Sequence, residues 1–263
     1  MRVAALYDIH GNLPALEAVL KEVEAETPDA IVIGGDVVPG PMPMECLERL
    51  LALNTPVHFI RGNGDREVLA FQRGEESSAI PENFREGMRW NARRLSDDHA
   101  RALKSWPATF SMEITDLGKV LFCHATPGND VDVFTRLTPE ERLLPIFENV
   151  KAGAVVCGHT HMPFDRRIGG VRVINPGSVG MPFGRPGAYW CLLGRKITFR
   201  HTLYDFEAAA EQIRHTDYAG ADAFAEKNVL NPPTEEQMLR AFSAIELMSR
   251  RDDVTSATIA ARN

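Results

Sequence analysis

Five short apolar runs, at residues 3–7, 30–33, 57–60, 120–123 and 154–157, each break off into a cluster of Asp, Asn, His or Gly. Runs this short and this rich in Val, Ile, Leu and Ala read as buried strands rather than helices. Between them lie helical patterns. Asn12 is a natural N-cap for apolar positions Leu13, Leu16, Val19, Leu20 and Val23, and a second helix is predicted over 44–53. A β-α-β-α-β order requires a parallel sheet with right-handed crossovers, so the fold class is α/β.

Residues 66–107 carry no strand pattern. Phe84, Met88 and Leu95 mark an apolar stripe and Ser96 caps a segment over 97–106, which predicts a helical insertion lying over the sheet edge. Residues 110–114 and 119–123 flank a hairpin-type connection at 116–118. Thr138-Pro139-Glu140-Glu141 predicts a helix start, with Thr138 as cap, Pro139 in the first position and a capping-box Glu. After Cys157 the pattern turns antiparallel, as 165–168 and 171–174 flank Gly169-Gly170, and 188–193 and 196–203 flank Gly194-Arg195. A last helix starts at the capping box of Thr234 and Gln237 and runs over about 234–250. Its Met238, Phe242, Ile245 and Met248 fall near helical spacing and are expected to pack on the chain's own core. Residues after Arg251 read as a polar tail. The chain, 1–263, is expected to form a single domain.

Charge narrows the partners. Lys and Arg number 29 against 36 Asp and Glu, a net −7, and this field repels a phosphate polymer. Nucleic acid is therefore excluded as an expected partner, while a small anionic substrate gathered by a local cation is compatible. No run approaches the roughly 18 apolar residues of a membrane span. Cys46, Cys123, Cys157 and Cys191 form no C-x-x-C pair and read as reduced, buried thiols. The N-terminus has no basic region followed by a long apolar stretch, so a cytoplasmic protein is expected, as monomer or homo-oligomer.

The chemistry lies just past the strand ends: Asp8-Ile9-His10, then Gly34-Gly35-Asp36, then Gly62-Asn63-Gly64-Asp65, then His124, then Gly158-His159-Thr160-His161. Ligands of open α/β sheets bind beyond the carboxyl ends of the strands. Each fragment alone has a bland explanation as a cap, a turn or a satisfied polar residue. Gly-His-Thr-His is rarer, arising by chance in a chain of this length on the order of once in a thousand. Imidazole, carboxylate and amide groups without thiolate suit Mn, Fe, Zn or Mg. Seven candidates exceed the four ligands of one tetrahedral site and suffice for two ions sharing a carboxylate. His58, His99, His201 and His215 have no such context.

These motifs, D-x-H, G-D, G-N-x-[DE], H and G-H-x-H, resemble those of the calcineurin-like metallophosphoesterases over Asp8 to His161. Ile174-Asn175-Pro176-Gly177-Ser178-Val179-Gly180, and Trp90 and Leu95 leading to Leu103 and Pro107, resemble the bacterial phosphodiesterase branch. The resemblance implies a four-layer αββα sandwich of two sheets flanked by helices. It also implies two divalent ions per chain, manganese first, with Fe, Zn or Mg as alternatives. One ion would be held by Asp8, His10 and His161, the other by Asn63, His124 and His159, with Asp36 bridging. Asp36, Asn63, His124 and His161 would carry the catalysis, and a hydroxide held between the ions would attack phosphorus.

Two departures from the family pattern bear on the substrate. The family's His after the Asn ligand is Gly64 here, and the Asp that pairs with that His in the protein phosphatase branch is Pro39. Loss of a positioned acid disfavours basic leaving groups. The expected substrate is a small, nucleotide-like phosphodiester, and Gly64 is expected to leave room for its second ester arm. A dinucleoside polyphosphate hydrolase and a phosphomonoesterase are the alternatives; a non-enzymatic scaffold is disfavoured because all seven ligand positions are filled. Arg61, Arg66 and Asn175 are candidate substrate contacts, Asn175 also as a brace for His159 or His161. Arg89, Trp90 and Arg94 are weaker candidates for the cleft.

Overall fold

Successive side chains of a strand point to opposite faces, and β1 (Val3–Leu6) shows where this leads. Ala4 and Leu6 pack outward with Leu16, Val19 and Leu47, whereas Val3 and Ala5 pack inward with Phe122, Val156 and Ile174. The computed structural model describes residues 1–77 and 80–248. β2 (Ala30–Ile33) and β3 (Val57–Phe59) continue the sheet from β1 in parallel. A second sheet holds β4 (Thr109–Ile114), β5 (Gly118–Cys123), β6 (Ala154–Val156), β7 (Phe164–Ile168) and β8 (Val171–Asn175). β9 (Ala188–Leu193) and β10 (Thr198–Thr202) complete the first. The strand orders are β10-β9-β1-β2-β3 and β4-β5-β6-β8-β7.

The sheets face each other across a shared apolar layer. Outside the first lie α1 (Leu13–Glu26), α2 (Pro43–Leu51) and α3 (Asn63–Gln72). Outside the second, α6 (Glu140–Phe147) covers Val155 and Val173 with Leu143 and Phe147. The result is the expected αββα sandwich of two mixed sheets. The insertion forms α3, α4 (Glu82–Arg94) and α5 (Asp97–Ser105), the last capped by Ser96, whose hydroxyl accepts from His99 N at 3.2 Å. Met88 and Leu95 pack inward, but Phe84, expected on the same stripe, is exposed.

Both C-terminal hairpins form as expected, but they do not make a separate antiparallel unit. β8 docks parallel on β6, and β9 docks antiparallel on β1, so one hairpin finishes each sheet. Thr138 is not the cap of α6: Pro139 takes that place, and the Thr138 hydroxyl accepts from Thr135 N and turns to Glu246. Among the described residues, three further α-helices come after β10. α7 (Phe206–Arg214) is capped by Asp205, and α8 (Ala221–Phe224) runs on into a π-helical turn, Ala225–Leu230. α9 (Glu235–Ile245) has the predicted capping box, but no residue within it is buried. Ile245 and Met248 are exposed; contact with the body comes from Phe242, from Glu235 paired with Arg136, and from Glu246 and Leu247 beyond its end. The predicted end of this helix at 249–250 and the polar tail lie outside the described residues.

Candidate metal centre

Parallel register brings the strand ends to one rim. β1 delivers Asp8 and His10, β2 Asp36, and β3 Asn63, while the second sheet delivers His124 after β5 and His159 and His161 after β6. Two clusters result: Asp8, His10 and His161, and Asp36, His124 and His159, each with its ligand atoms within 4.8 Å of one another. The clusters adjoin. Asp36 Oδ2 lies 3.7 Å from His10 Nε2 and 3.5 Å from His124 Nε2, and Asp8 Oδ1 lies 3.5 Å from His161 Nε2 and 3.8 Å from His124 Nε2.

The backbone is strained to achieve this. Asp8, His10, Asp36, His159 and His161 all have positive φ, between 49° and 65°. Such conformations cost a non-glycine residue about 1–3 kcal/mol and persist only when their surroundings enforce them. Enforcement is visible: His10 N donates to Asp36 O at 2.8 Å, and Gly158 N donates to His124 O at 2.7 Å. The Tyr7 ring lies directly beneath Gly34 and Gly158, where any side chain would collide with it.

Three imidazoles are aimed by backbone carbonyls. His124 Nδ1 meets Gly34 O at 2.8 Å, His161 Nδ1 meets Met181 O at 2.7 Å and His10 Nδ1 meets Pro39 O at 3.2 Å. A carbonyl only accepts, so Nδ1 carries the proton and Nε2 turns inward, as metal-ligating histidines require. Asp36 Oδ1 accepts from Gly64 N at 2.7 Å and Asp8 Oδ2 from His159 N at 3.0 Å. Asp8 Oδ1, buried, has no hydrogen-bond partner. An orphaned carboxylate oxygen among inward-facing imidazole nitrogens is a donor set that fits a divalent cation.

Charge is strongly perturbed here. Burial alone would raise the Asp36 carboxyl, but His124 and His10 hold it well below the usual range. Burial opposes charge on His124 too, yet Asp36 and Asp8 push its pKa up to about 10. Burial and the neighbouring His124 push His159 down to about 4. Behind them Asp65, which the motif's acidic position signalled without giving it a role, is raised to about 7 by burial and by Asp36.

The other candidate residues divide. One terminal atom of the Asn63 amide sits 3.0 Å from His124 Nε2, and with the amide turned over its nitrogen lies 3.0 Å from His159 Nδ1 and 3.2 Å from Asp130 O. Asn175 is buried; its Nδ2 donates to Gly158 O and Thr160 Oγ1 and its Oδ1 accepts from Gly177 N. It therefore braces the His159–His161 turn and has no amide proton left for substrate. Arg66 is engaged by Asp130 at 2.8 Å and Glu67 at 2.6 Å, tying the Asn63 turn to the loop after β5. Arg61 is half-buried beside that turn, its N–H donating to Pro107 O. Arg89 pairs with Glu76, and Arg94 with Asp217 above the Trp90 ring, so neither is a free cleft cation. Gly64 leaves no room for a second ester arm: Pro39 fills the space, with its Cγ 2.5 Å from where a Cβ would stand.

Facing mixed sheets with this rim define a metal-dependent phosphoesterase. Residues 1–195 match the calcineurin-like phosphoesterase superfamily domain, and the chain belongs to that superfamily. It is 29% identical to an uncharacterized protein of Methanocaldococcus jannaschii over 80% of this chain and 91% of that one. It is 26% identical to the phosphodiesterase YfcE of Escherichia coli K12, over 73% of this chain and 87% of that one. The structure of a metallophosphoesterase from Sphaerobacter thermophilus is similar at TM-score 0.68 and 25% identity, covering 87% of this chain and all of that chain. A hypothetical protein from Pyrococcus horikoshii OT3 shares the fold at TM-score 0.75 and 21% identity, covering 89% and 99%. The protein is accordingly a phosphoester hydrolase of a metal-dependent family.

Proposed function

We propose that this chain is a dinuclear phosphodiesterase acting on small, nucleotide-like phosphodiesters in the cytoplasm. Asp8, His10 and His161 would hold one divalent ion and Asn63, His124 and His159 the other, with Asp36 between them and manganese the first choice. The observation that carries the reading is the position of Asp36 Oδ2, 3.7 Å from a nitrogen of one cluster and 3.5 Å from a nitrogen of the other. When bound, such ions supply the Lewis acidity that makes water nucleophilic near neutral pH and offsets charge on phosphorus.

The chain's own residues do the rest by preorganisation. Carbonyl-anchored imidazoles and two buried carboxylates are set before substrate arrives, so no reorganisation is needed at the moment of reaction. Gly64 offers no imidazole to protonate a leaving oxygen, and general acid help is worth roughly 10²–10⁴-fold. Weakly basic leaving groups, as in aryl or nucleotidyl diesters, are therefore favoured over alkyl monoesters. The phosphodiesterase name of the Escherichia coli relative points the same way. Four buried, unpaired cysteines fit a reducing compartment.

The test is a screen of the protein loaded with Mn, Zn or Mg against an aryl phosphodiester, a dinucleoside polyphosphate and an alkyl monoester, together with Asp36→Asn. The diester should turn over fastest, and Asp36→Asn should lose an ion and most activity while remaining folded. Fastest turnover of the alkyl monoester would overturn the diesterase reading, and fastest turnover of the polyphosphate would replace it with anhydride hydrolysis. Full activity in Asp36→Asn would remove the bridge.

A further inference from the structure

Three rings lead from the outermost helix to a candidate ligand. Phe183 stacks on His161 with centroids 5.0 Å apart and planes 18° apart, and Phe242 of α9 leans on Phe183 at 5.9 Å and 59°. His161 is held in the plane of its ring at two points, Nδ1 by the Met181 carbonyl at 2.7 Å and Nε2 by His10 Nε2 at 3.2 Å, which leaves the tilt of the ring about the line between them unfixed. A flat aromatic neighbour removes the remaining freedom. The segment carrying Phe183 is held in turn: Ser178 Oγ donates to Asp8 O and accepts from Met181 N, and Gly184 N donates to Pro233 O.

α9 is fastened at both ends, which makes Phe242 a fixed backing rather than a passing contact. At its start Glu235 pairs with Arg136 at 2.8 Å. Beyond its end Glu246 is engaged by Thr138 and Arg142, and Leu247 N donates to Val133 O at 3.0 Å. The helix buries no residue of its own, so Phe242 is its ring contact with the site. It also lies beyond residues 1–195, the part that matches the superfamily domain.

We propose that Phe183, backed by Phe242, is a positioning residue that fixes the ring plane of His161 and so sets how tightly the Asp8/His10/His161 cluster holds its ion. The inference rests on the dinuclear reading above. An imidazole that gives density to a cation becomes electron-poor, and an aromatic face attracts an electron-poor ring more strongly than a neutral one. Stacking by Phe183 therefore favours the loaded state over the empty one, and the C-terminal helix is coupled to one of the two sites and not the other.

The test is calorimetric titration with Mn²⁺, with metal content measured after gel filtration. Wild type should hold two ions. Phe183→Leu should weaken one of them about tenfold or more, the usual scale for residues that orient a ligand, and leave the other unchanged. Phe183→Tyr should restore it, and Phe242→Ala should weaken the same ion less. In a His161→Ala background, Phe183→Leu should have no further effect on the ion that remains. Melting of the metal-free protein separates this from general damage, and if Phe183→Leu does not fold, Phe242→Ala decides alone. Wild-type affinities for both ions, or an equal loss of both, would overturn the proposal. A wild-type protein that holds fewer than two ions would overturn the dinuclear reading first, and this inference with it.

Discussion

Pro39 is packed against Gly64, so closely that a Cβ built on the glycine would stand 2.5 Å from Pro39 Cγ and 2.9 Å from Asp36 Oδ1. The two positions that carry an imidazole and its carboxylate partner in the protein phosphatase branch are thus filled here by a complementary pair. Pro39 O also accepts from His10 Nδ1, so displacing the proline disturbs a candidate ligand. Gly64→His alone is expected to cost about 1–3 kcal/mol by overpacking and to reduce Mn²⁺ binding. Adding Pro39→Asp should relieve the clash and raise alkyl monoester turnover relative to the single variant. Melting, metal content and monoester assays of the two variants check this; a Gly64→His protein that keeps both ions and gains monoesterase activity would show that the proline is no obstacle.

Asp65 holds the Asp36 turn by its backbone. Its Oδ2 accepts from Asp36 N at 2.8 Å and Gly62 N at 3.0 Å, and its Oδ1 from Val37 N at 2.9 Å and Val38 N at 3.2 Å. Asp65→Asn would place an amide N–H₂ against N–H donors and leave at least one of them unpaired in a buried site. Each such loss costs about 1–3 kcal/mol. Urea denaturation of the metal-free variant should show a loss of that size, and Mn²⁺ binding should weaken because Asp36 is no longer held at its positive φ. Unchanged stability would mean that the turn holds itself.

The rim was legible because ligand residues sit at strand ends, and the strands announced themselves as short apolar runs broken by Asp, Asn and His. Residues that act through the backbone were not legible as such. Asn175 is expected from the sequence to brace His159 or His161, and it does brace their turn, but its position does not say that the amide grips Gly158 O and Thr160 Oγ1 rather than a ring. Arg66 reads from the sequence as a phosphate contact or one half of an ion pair, and only the fold brings in its partner Asp130, sixty-four residues on. Thr138 has every local mark of a helix cap, and its hydroxyl is claimed instead by Glu246 from beyond α9. Long-range partners override local signals of this kind, and the C-terminal helices, with short amphipathic stretches and no chemistry, gave the weakest signals of all.

Gly34 and Tyr7 offer a separate test of how the two sheets set the site. A Cβ on Gly34 would fall 2.0 Å from the Tyr7 ring, and Tyr7 Oη donates to Val156 O across the sheets at 3.0 Å. Tyr7→Phe removes that bond and nothing else, so a loss of about 1 kcal/mol with normal metal content is expected. Gly34→Ala forces the ring or the turn to move. It should cost about 1–3 kcal/mol and weaken Mn²⁺ binding, since Gly34 O anchors His124. Equal metal affinity in the two variants would detach the ring from the site.

Protonation of His124 should make ion binding depend on pH. Its pKa, pushed up to about 10 in the metal-free protein, lies above the ordinary value near 6.5, so it is protonated across the neutral range. The stability it contributes is complete below about pH 6.5 and is lost as pH rises through about 10. An ion must displace that proton from Nε2, whereas His159, pushed down to about 4, has none to give at neutral pH. Apparent Mn²⁺ affinity should therefore rise about tenfold per pH unit between roughly pH 7 and 8.5 from this one group. Titration calorimetry in buffers of different ionisation heat should register the released proton directly. An affinity that stays level over that interval would mean that His124 is already neutral when the ion arrives.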